Sequence, residues 1–369
     1  MALNTVSSDR LSTNVKNTNF TAAEKQDLTN DILPLSGQLG NRNLIINGAF
    51  NVAQRGTSST TPGDSFQTTD RIGYIRTGLS ENTTQEQANV ASGTGPYTSG
   101  FRKSLKLTNG NNSAVTSQYQ IIRTRLEAQD IANSGWNYTS SSSNVTFQFW
   151  VKSSVAQNFY GYFISLDGTA QTYPFETGSL TADTWTKITK TIPGNSNLQF
   201  DNDANAGLEI VRAPYWGTDF TASSVTLNQW AAYASGTRTP DYTTTWQTTN
   251  DATFETTGWQ LEVGSVATEF EHRSFGQELA LCQRYFQKIA CTSMYMLLIR
   301  TADNQHRLTF THPVTMRATP TATVTSSNAD GAGTIGIESV STTVIQMNQA
   351  AATSSNAPNV SEYTVEAEL

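Results

Sequence analysis

The sequence predicts an all-β chain: a jelly-roll β-sandwich, then a linking amphipathic helix, then a smaller C-terminal β-sandwich. Three observations carry that prediction. Segments alternating apolar and polar residues with period two recur along most of the 369 residues, most clearly in NVTFQFWVKS (144–153). Such alternation marks a strand with one buried face. Charged residues make up only 14% and aromatic residues 10%, where roughly 25% charged is usual for globular chains. Thr, Ser, Asn and Gln carry the polarity instead, which suits pleated, exposed surfaces. Beyond a short N-terminal turn, helical spacing occurs only at 273–290. Turn-bounded strands without long helices between them give a sandwich or a jelly roll, and the length suits two domains at roughly 100–200 residues each.

Residues 1–40 form a polar lead-in, in which Thr21 lies three residues before Glu24, a capping-box spacing that starts a short helix over 21–33. A flexible tail and an ordered attachment segment both fit it. The jelly-roll domain is expected over 41–272. It opens with NLIINGAFNVAQRG, where Asn47-Gly48 is a turn or bulge signal. In 144–153, Val145, Phe147, Phe149 and Val151 face one way, and Thr146, Gln148, Trp150 and Lys152 the other. NFYGYFISL (158–166) follows after a short turn and reads as its hairpin partner. TWTKITKTI (184–192), SSVTLNQWAAYA (223–234) and the GWQLEV segment from Gly258 add further strands.

The helix is expected over 273–290. Ser274 caps it, with Gln277 completing a capping box. Glu278 falls in its first turn, and Arg284 and Lys288 near its end, as the macrodipole prefers. Phe275, Leu279, Cys282, Phe286 and Ile289 are spaced by 4, 3, 4 and 3 residues, one narrow apolar seam. Packing on a neighbouring sheet and a short three-stranded bundle on a trimer axis both use such a seam. Residues 291–369 return to β pattern at 294–301, 305–312, 321–327, 334–340, 342–349 and 363–369, with Pro313 and Pro320 bracketing an edge or connecting segment.

Composition excludes several functions. A net charge of −7 offers no basic footprint for nucleic acid. Cys282 and Cys291 form neither a disulfide framework nor a CxxC motif, and three histidines are scattered, so no zinc site is expected. No run approaches the roughly 18 apolar residues that cross a bilayer, so no membrane insertion is expected. The N-terminal stretch lacks the apolar core of an export signal, which leaves release by lysis as a route out of the cell. Asp167, Glu176, Asp183, Glu209, Asp219 and Asp241 are available carboxylates, but nothing in the sequence pairs them across a scissile bond. No GxSxG elbow, P-loop or dinucleotide fingerprint occurs, and no enzyme is expected.

NLIINGAFNVAQRGT (43–57) together with TGWQLEVGSVATEFEHRSFGQELALCQRYFQK (257–288) closely resembles a family of bacteriophage virion proteins, mainly tail fibres and related surface structural proteins. PVTMRATPT (313–321) is similar to the downstream part of that pattern. The resemblance implies a virion location, with synthesis in the host cytoplasm, and a structural or receptor-binding role. The ends of the middle domain also resemble carbohydrate-binding modules with a galactose-binding-like jelly roll. In that pattern the first strand ends on an acidic residue and the last carries another, often around a structural calcium. Here Asn51 replaces the first, and Glu262 stands at the second. Calcium takes several hard oxygen ligands, so a solvent-facing or backbone-capping Glu262 is favoured over a calcium ligand; Glu262 is the candidate for a structural calcium, and no other cofactor is expected.

Sugar recognition uses aromatic faces ringed by polar groups, and loops are where such sites gather. APYWGTDF (213–220) brings Tyr215 and Trp216 together, and Trp230, Tyr233, Tyr242 and Trp246 follow in a polar, turn-rich stretch. These are the glycan-binding candidates, with the hairpin tip Asp303-Asn304-Gln305-His306 as a second site. The function expected is a homotrimeric tail fibre. Residues 1–40 would hold it to other virion proteins, and repeated weak contacts with host-surface polysaccharide would add up by multivalency. The alternative is an architectural virion component, such as a head fibre, decoration or tail-assembly protein, whose partners are only viral.

Overall fold

Twelve of the strands build two six-stranded antiparallel sheets. In chain order they are β1 (Ser58–Ser59), β2 (Gly73–Thr77), β3 (Thr84–Asn89), β4 (Lys103–Thr108), β5 (Tyr119–Glu127), β6 (Asn144–Ser153), β7 (Asn158–Ser165), β8 (Gln171–Ser179), β9 (Thr186–Pro193), β10 (Ala206–Trp216), β11 (Ala231–Ala232) and β12 (Thr253–Val263). Short helices α1 (Gly95–Thr98), α2 (Ala128–Ala132) and α3 (Thr245–Thr248) interrupt them. The first sheet runs β1-β3-β4-β12-β6-β9 and the second β11-β8-β7-β10-β5-β2. The computed structural model describes residues 41–60, 66–295, 297–298, 305–328, 335–350 and 359–369. The lead-in 1–40 and the tip residues Asp303 and Asn304 lie outside the described residues. Residues 43–369 form one compact unit.

β6 realises its alternation, with Val145, Phe147, Phe149 and Val151 at most 1% exposed. The predicted hairpin of 144–153 with 158–166 does not form. β6 lies in the first sheet and β7 in the second, because both carry apolar faces that are buried against each other. Phe147 meets Phe163 edge-on at 5.4 Å between ring centroids. The predicted strand over 223–234 reduces to the two residues of β11. Asn228, at φ 60°, turns the chain there, and the Trp230 indole N–H is drawn to the Pro193 carbonyl at 2.7 Å.

The segment 43–52 runs beside β12 as turns. Asn43 accepts from Leu261 N–H through Oδ1 and donates through Nδ2 to the Trp259 carbonyl, while Trp259 N–H donates to Gly48 O at 2.9 Å. A Cβ on Gly48 would sit 2.0 Å from Trp259 O, so only glycine allows this approach.

The helix is shorter than its spacing predicts. α4 spans Phe275–Gln283, with the Ser274/Gln277 capping box formed. Phe286 and Ile289 instead belong to strand β13 (Phe286–Tyr295), so the five-residue seam is not one helical face. Phe275 is 60% exposed while Cys282 is fully buried. The helix stops because Tyr285 N–H closes on Cys282 O and Arg284 is pulled sideways onto Glu127.

The smaller sandwich adds β14 (Leu297–Leu298), β15 (Gln305–Thr311), β16 (Thr321–Asn328), β17 (Gly336–Val340), β18 (Val344–Ala350) and β19 (Asn359–Glu366). They form sheets β13-β19-β16 and β14-β15-β18-β17 around a separate core of Met316, Ile345, Met347, Tyr363 and Val365.

An ionic clamp joins the two sandwiches. Arg284 grips Glu127 with two bonds of 2.8 Å, and the Tyr285 hydroxyl donates to the same carboxylate at 2.6 Å. Arg71 pairs with Glu368, lies 3.5 Å over the Tyr285 ring and donates to Arg125 O. Arg317 bonds the carbonyls of Ala204 and Glu368. Burial pushes the Glu127 carboxyl up, but the bonds from Arg284 and Tyr285 outweigh it and hold it below the usual glutamate range. Arg55 adds a 3.2 Å contact with Glu368, so segments 43–57, 257–288 and 313–321, far apart in sequence, all contribute residues to this junction.

Candidate functional site

The second sheet turns Leu208 and Ile210 of β10 into the core, so Glu209, Val211 and Ala213 point outward by the period of two. Register extends them into rows across the outer face. One row is Thr172, Ile164, Glu209 and Arg125; the next is Pro174, Tyr162, Val211, Arg123 and Gly73. A third begins Glu176, Tyr160 and Ala213. Apolar floor residues thus lie beneath long polar ones.

Two arginines share one carboxylate on this face. Arg125 bonds Glu209 through Nε, and Arg123 lies 3.5 Å from the same oxygen. Their side chains are 26% and 22% exposed, against 9% for Glu209. The row ends at Gly73, beside the Arg123 stem and the Phe66 ring.

Residues 217–245 fold over the other side. The Arg238 guanidinium stacks on Trp216, Phe220 and Tyr233 at 4.8, 5.1 and 5.4 Å from their ring centroids, and its charge lies near the Tyr162 hydroxyl. Burial, and then the Glu209 charge, push the Tyr162 hydroxyl far above its ordinary range, so it stays neutral. Tyr160, Tyr233 and Arg238 remain half-buried, with ring and guanidinium surface reachable from solvent.

The predicted candidates sit largely inside. Tyr215 is 4% exposed, Trp216 3%, Tyr242 9% and Trp246 0%, which removes them as stacking platforms. Each polar tip that bonds is tied to a carbonyl. Tyr215 reaches Val115 O, Tyr242 reaches Ala213 O and Tyr160 O, and Trp246 reaches Thr253 O. Trp230 is half-buried and rests on Tyr173 at 5.3 Å. These rings anchor the excursion that walls the site. The residues of this face that keep exposed surface are Arg123, Arg125, Tyr160 and Arg238, beside the buried Tyr162 and Glu209. Two of them had a visible signal, since Arg-Thr-Arg at 123–125 places both cations on one strand face.

The outer face of the first sheet differs. Register aligns Glu86, Lys106, Glu255 and Lys152 into a cross-strand ladder of alternating charge, closed by a Lys152–Glu255 contact of 2.8 Å. Opposite charges directly across strands stabilise one another, so this face is self-neutralised. At its end Glu262 accepts from the Gln260 amide, Thr268 N–H and the Thr268 hydroxyl. Both oxygens face donors, not further oxygen ligands, and that arrangement does not fit calcium.

No family model matches the chain, and no curated protein matches it. Among solved structures it is similar to the N-terminal cellulose-binding domain of Cellulomonas fimi β-1,4-glucanase C, at 10% identity and TM-score 0.27 over 59% of this chain and 99% of that one. It is also similar to the family 11 carbohydrate-binding module of a Clostridium thermocellum cellulase, at 13% identity and TM-score 0.26 over 58% and 98%. A third is the enzymatically active domain of bacteriophage CBA120 tailspike protein 4, at 9% identity and TM-score 0.30, covering 60% of this chain and 22% of that one. Function is left to the residues themselves.

Proposed function

We propose that the chain is a non-catalytic virion component, a homotrimeric tail fibre that binds host-surface glycan through the outer face of its second sheet. The observation that carries the binding part is the grouping, on one sheet face, of half-buried Tyr160, Tyr233 and Arg238 with Arg123, Arg125 and Glu209 over an apolar floor. Aromatic faces stack on sugar rings and the charged groups orient hydroxyls. The virion part rests on the resemblance of segments 43–57, 257–288 and 313–321 to phage fibre proteins, with residues 1–40 as the attachment to other virion proteins. The ionic clamp between the sandwiches favours a second reading, an architectural component, because it makes one stiff body from two.

A glycan array probed with the full chain, beside its mass by light scattering with and without residues 1–40, tests this. Glycan binding by a trimer supports the fibre. A trimer that binds no glycan moves the conclusion to the architectural role, and a monomer in both forms overturns the self-standing fibre.

A further inference from the structure

We propose that the outer face of the first sheet is a second glycan surface, taking neutral polysaccharide on the rings of Trp150 and Trp185. It lies on the opposite side of the sandwich from the second-sheet site and goes beyond that reading. The indole N–H groups are the first argument. Of the seven tryptophans, Trp136, Trp230, Trp246 and Trp259 donate to Ser143 O, Pro193 O, Thr253 O and the Thr256 hydroxyl, and the Trp216 nitrogen is buried. Trp150 and Trp185 are half-buried, and their N–H groups bond to no acceptor among the described residues. A ring face with an open donor at its edge suits a pyranose, which offers a flat C–H face and hydroxyl acceptors.

Geometry is the second argument. Phe149 and Val151 point into the core, so Trp150 and Lys152 point outward. Register sets Trp150 opposite Lys187 and Val151 opposite Thr186. Trp185 therefore lies on the same outer face, a diagonal neighbour of Trp150 at about 7–8 Å between Cα atoms, and the Lys152 ammonium sits 5.2 Å from its ring centroid. A Cβ on Gly95 would come within 2.6 Å of the Trp150 ring, so α1 lies against that ring and holds it. Rings held in advance lose little freedom when a ligand arrives. Charge is the third argument. The Glu86, Lys106, Glu255 and Lys152 ladder cancels beside the rings, which favours an uncharged chain. A protein partner would need roughly 800 Å² of surface, whereas two rings bury at most about 150–250 Å² each.

The experiment is binding of the full chain to β-glucan, arabinoxylan and polygalacturonate at low and moderate salt, with iodide quenching of tryptophan emission as a second readout. The expected result is binding of a neutral polymer that salt leaves unchanged and that shields tryptophan from iodide. Trp185→Ala should weaken it roughly 10- to 100-fold at an unchanged melting temperature. Trp185→Phe keeps a ring face and loses the donor, and should bind roughly 2- to 10-fold more weakly than wild type. Neutral-polymer binding untouched in Trp185→Ala, or lost only in Tyr160→Ala on the second sheet, would overturn the second surface and leave the second-sheet reading intact. A preference for polygalacturonate that fades with salt would overturn the neutral class. A changed mass by light scattering in Trp185→Ala would assign the rings to contact between copies and overturn the proposal. Binding to no polymer would bring down both glycan readings.

Discussion

Between the two large sheets, Phe147 meets Phe163 and Phe175 edge-on, at 5.4 and 6.0 Å between centroids, and within its own sheet it meets Trp259 at 5.8 Å. Between the two sandwiches, Arg284, Arg71 and Arg317 meet Glu127, Glu368 and backbone carbonyls. The first contact is apolar and tolerates no water. The second is directional, with each guanidinium satisfied only in one orientation. Apolar burial holds the sheets together without fixing their angle closely, whereas bidentate ion pairs fix the placement of one body on another. The junction therefore sets geometry more than it adds stability.

The largest expected effect breaks the apolar side. Phe147→Ala removes a fully buried ring and is expected to cost about 3–5 kcal/mol, read as a lowered denaturant midpoint for the larger sandwich. A loss under about 1 kcal/mol would show that the sheets do not depend on this cluster. Next is Glu127→Ala, which strands the Tyr285 hydroxyl and Arg284. Breaking a buried pair costs about 3–5 kcal/mol, and the lower end is expected because the Arg284 side chain is 32% exposed and water can reach it. The smaller sandwich should then melt apart from the larger one, giving two calorimetric transitions in place of one. Acid should do the same more gently. The Glu127 carboxyl sits below its ordinary range when folded, so its contribution is complete above the unfolded glutamate value. It is lost as the pH falls through the lower folded value, and Glu127→Gln should abolish that part of the acid dependence.

Much of the apolar side was legible in the sequence, and little of the ionic side was. β6 follows from alternation alone, and the Ser274–Gln277 capping box from two residue types at one spacing. The hairpin of β6 and β7 was misread because alternation says which face is buried and not which sheet a strand joins. The helix was drawn too long because Phe286 and Ile289 continue its spacing, and nothing local announces that Phe286 pairs with Glu366. Arg284 looked like a helix-terminal cation; its partner Glu127 lies 157 residues away, beyond any pattern of the chain. The aromatic residues of 213–246 drew attention as ligand-facing rings, yet their indole N–H and hydroxyl groups are mostly tied to carbonyls inside. Polar tips mark a ring that needs a partner, and backbone supplied it more often than solvent did.

Arg212 sharpens the contrast, because it is an ionic residue placed on the apolar side. It is fully buried, stacked 3.7 Å over the Phe149 ring, and none of its three guanidinium nitrogens has a hydrogen-bond partner among the described residues. Burial pushes its pKa down to about 9, with Tyr242 opposing. At the junction every guanidinium charge meets a carboxylate or a carbonyl, whereas here the ring faces of Phe149 and, at 5.8 Å, Phe254 answer it, and a cation–π contact is worth about 2 kcal/mol when desolvated. Replacing a buried charge by an apolar side chain of similar volume is commonly neutral or stabilising by about 1–4 kcal/mol. Arg212→Met is therefore expected to raise the denaturant midpoint of the larger sandwich. Its pH signature separates it from ordinary repacking. A folded pKa below the unfolded one means that the unfolded chain holds more protons between about pH 9 and the ordinary arginine range, so wild-type stability gains from rising pH there. Arg212→Met should lose that gain. A variant less stable than wild type, with the alkaline slope unchanged, would mean that the guanidinium is satisfied inside the sandwich and that the two regions differ less in chemistry than their contacts suggest.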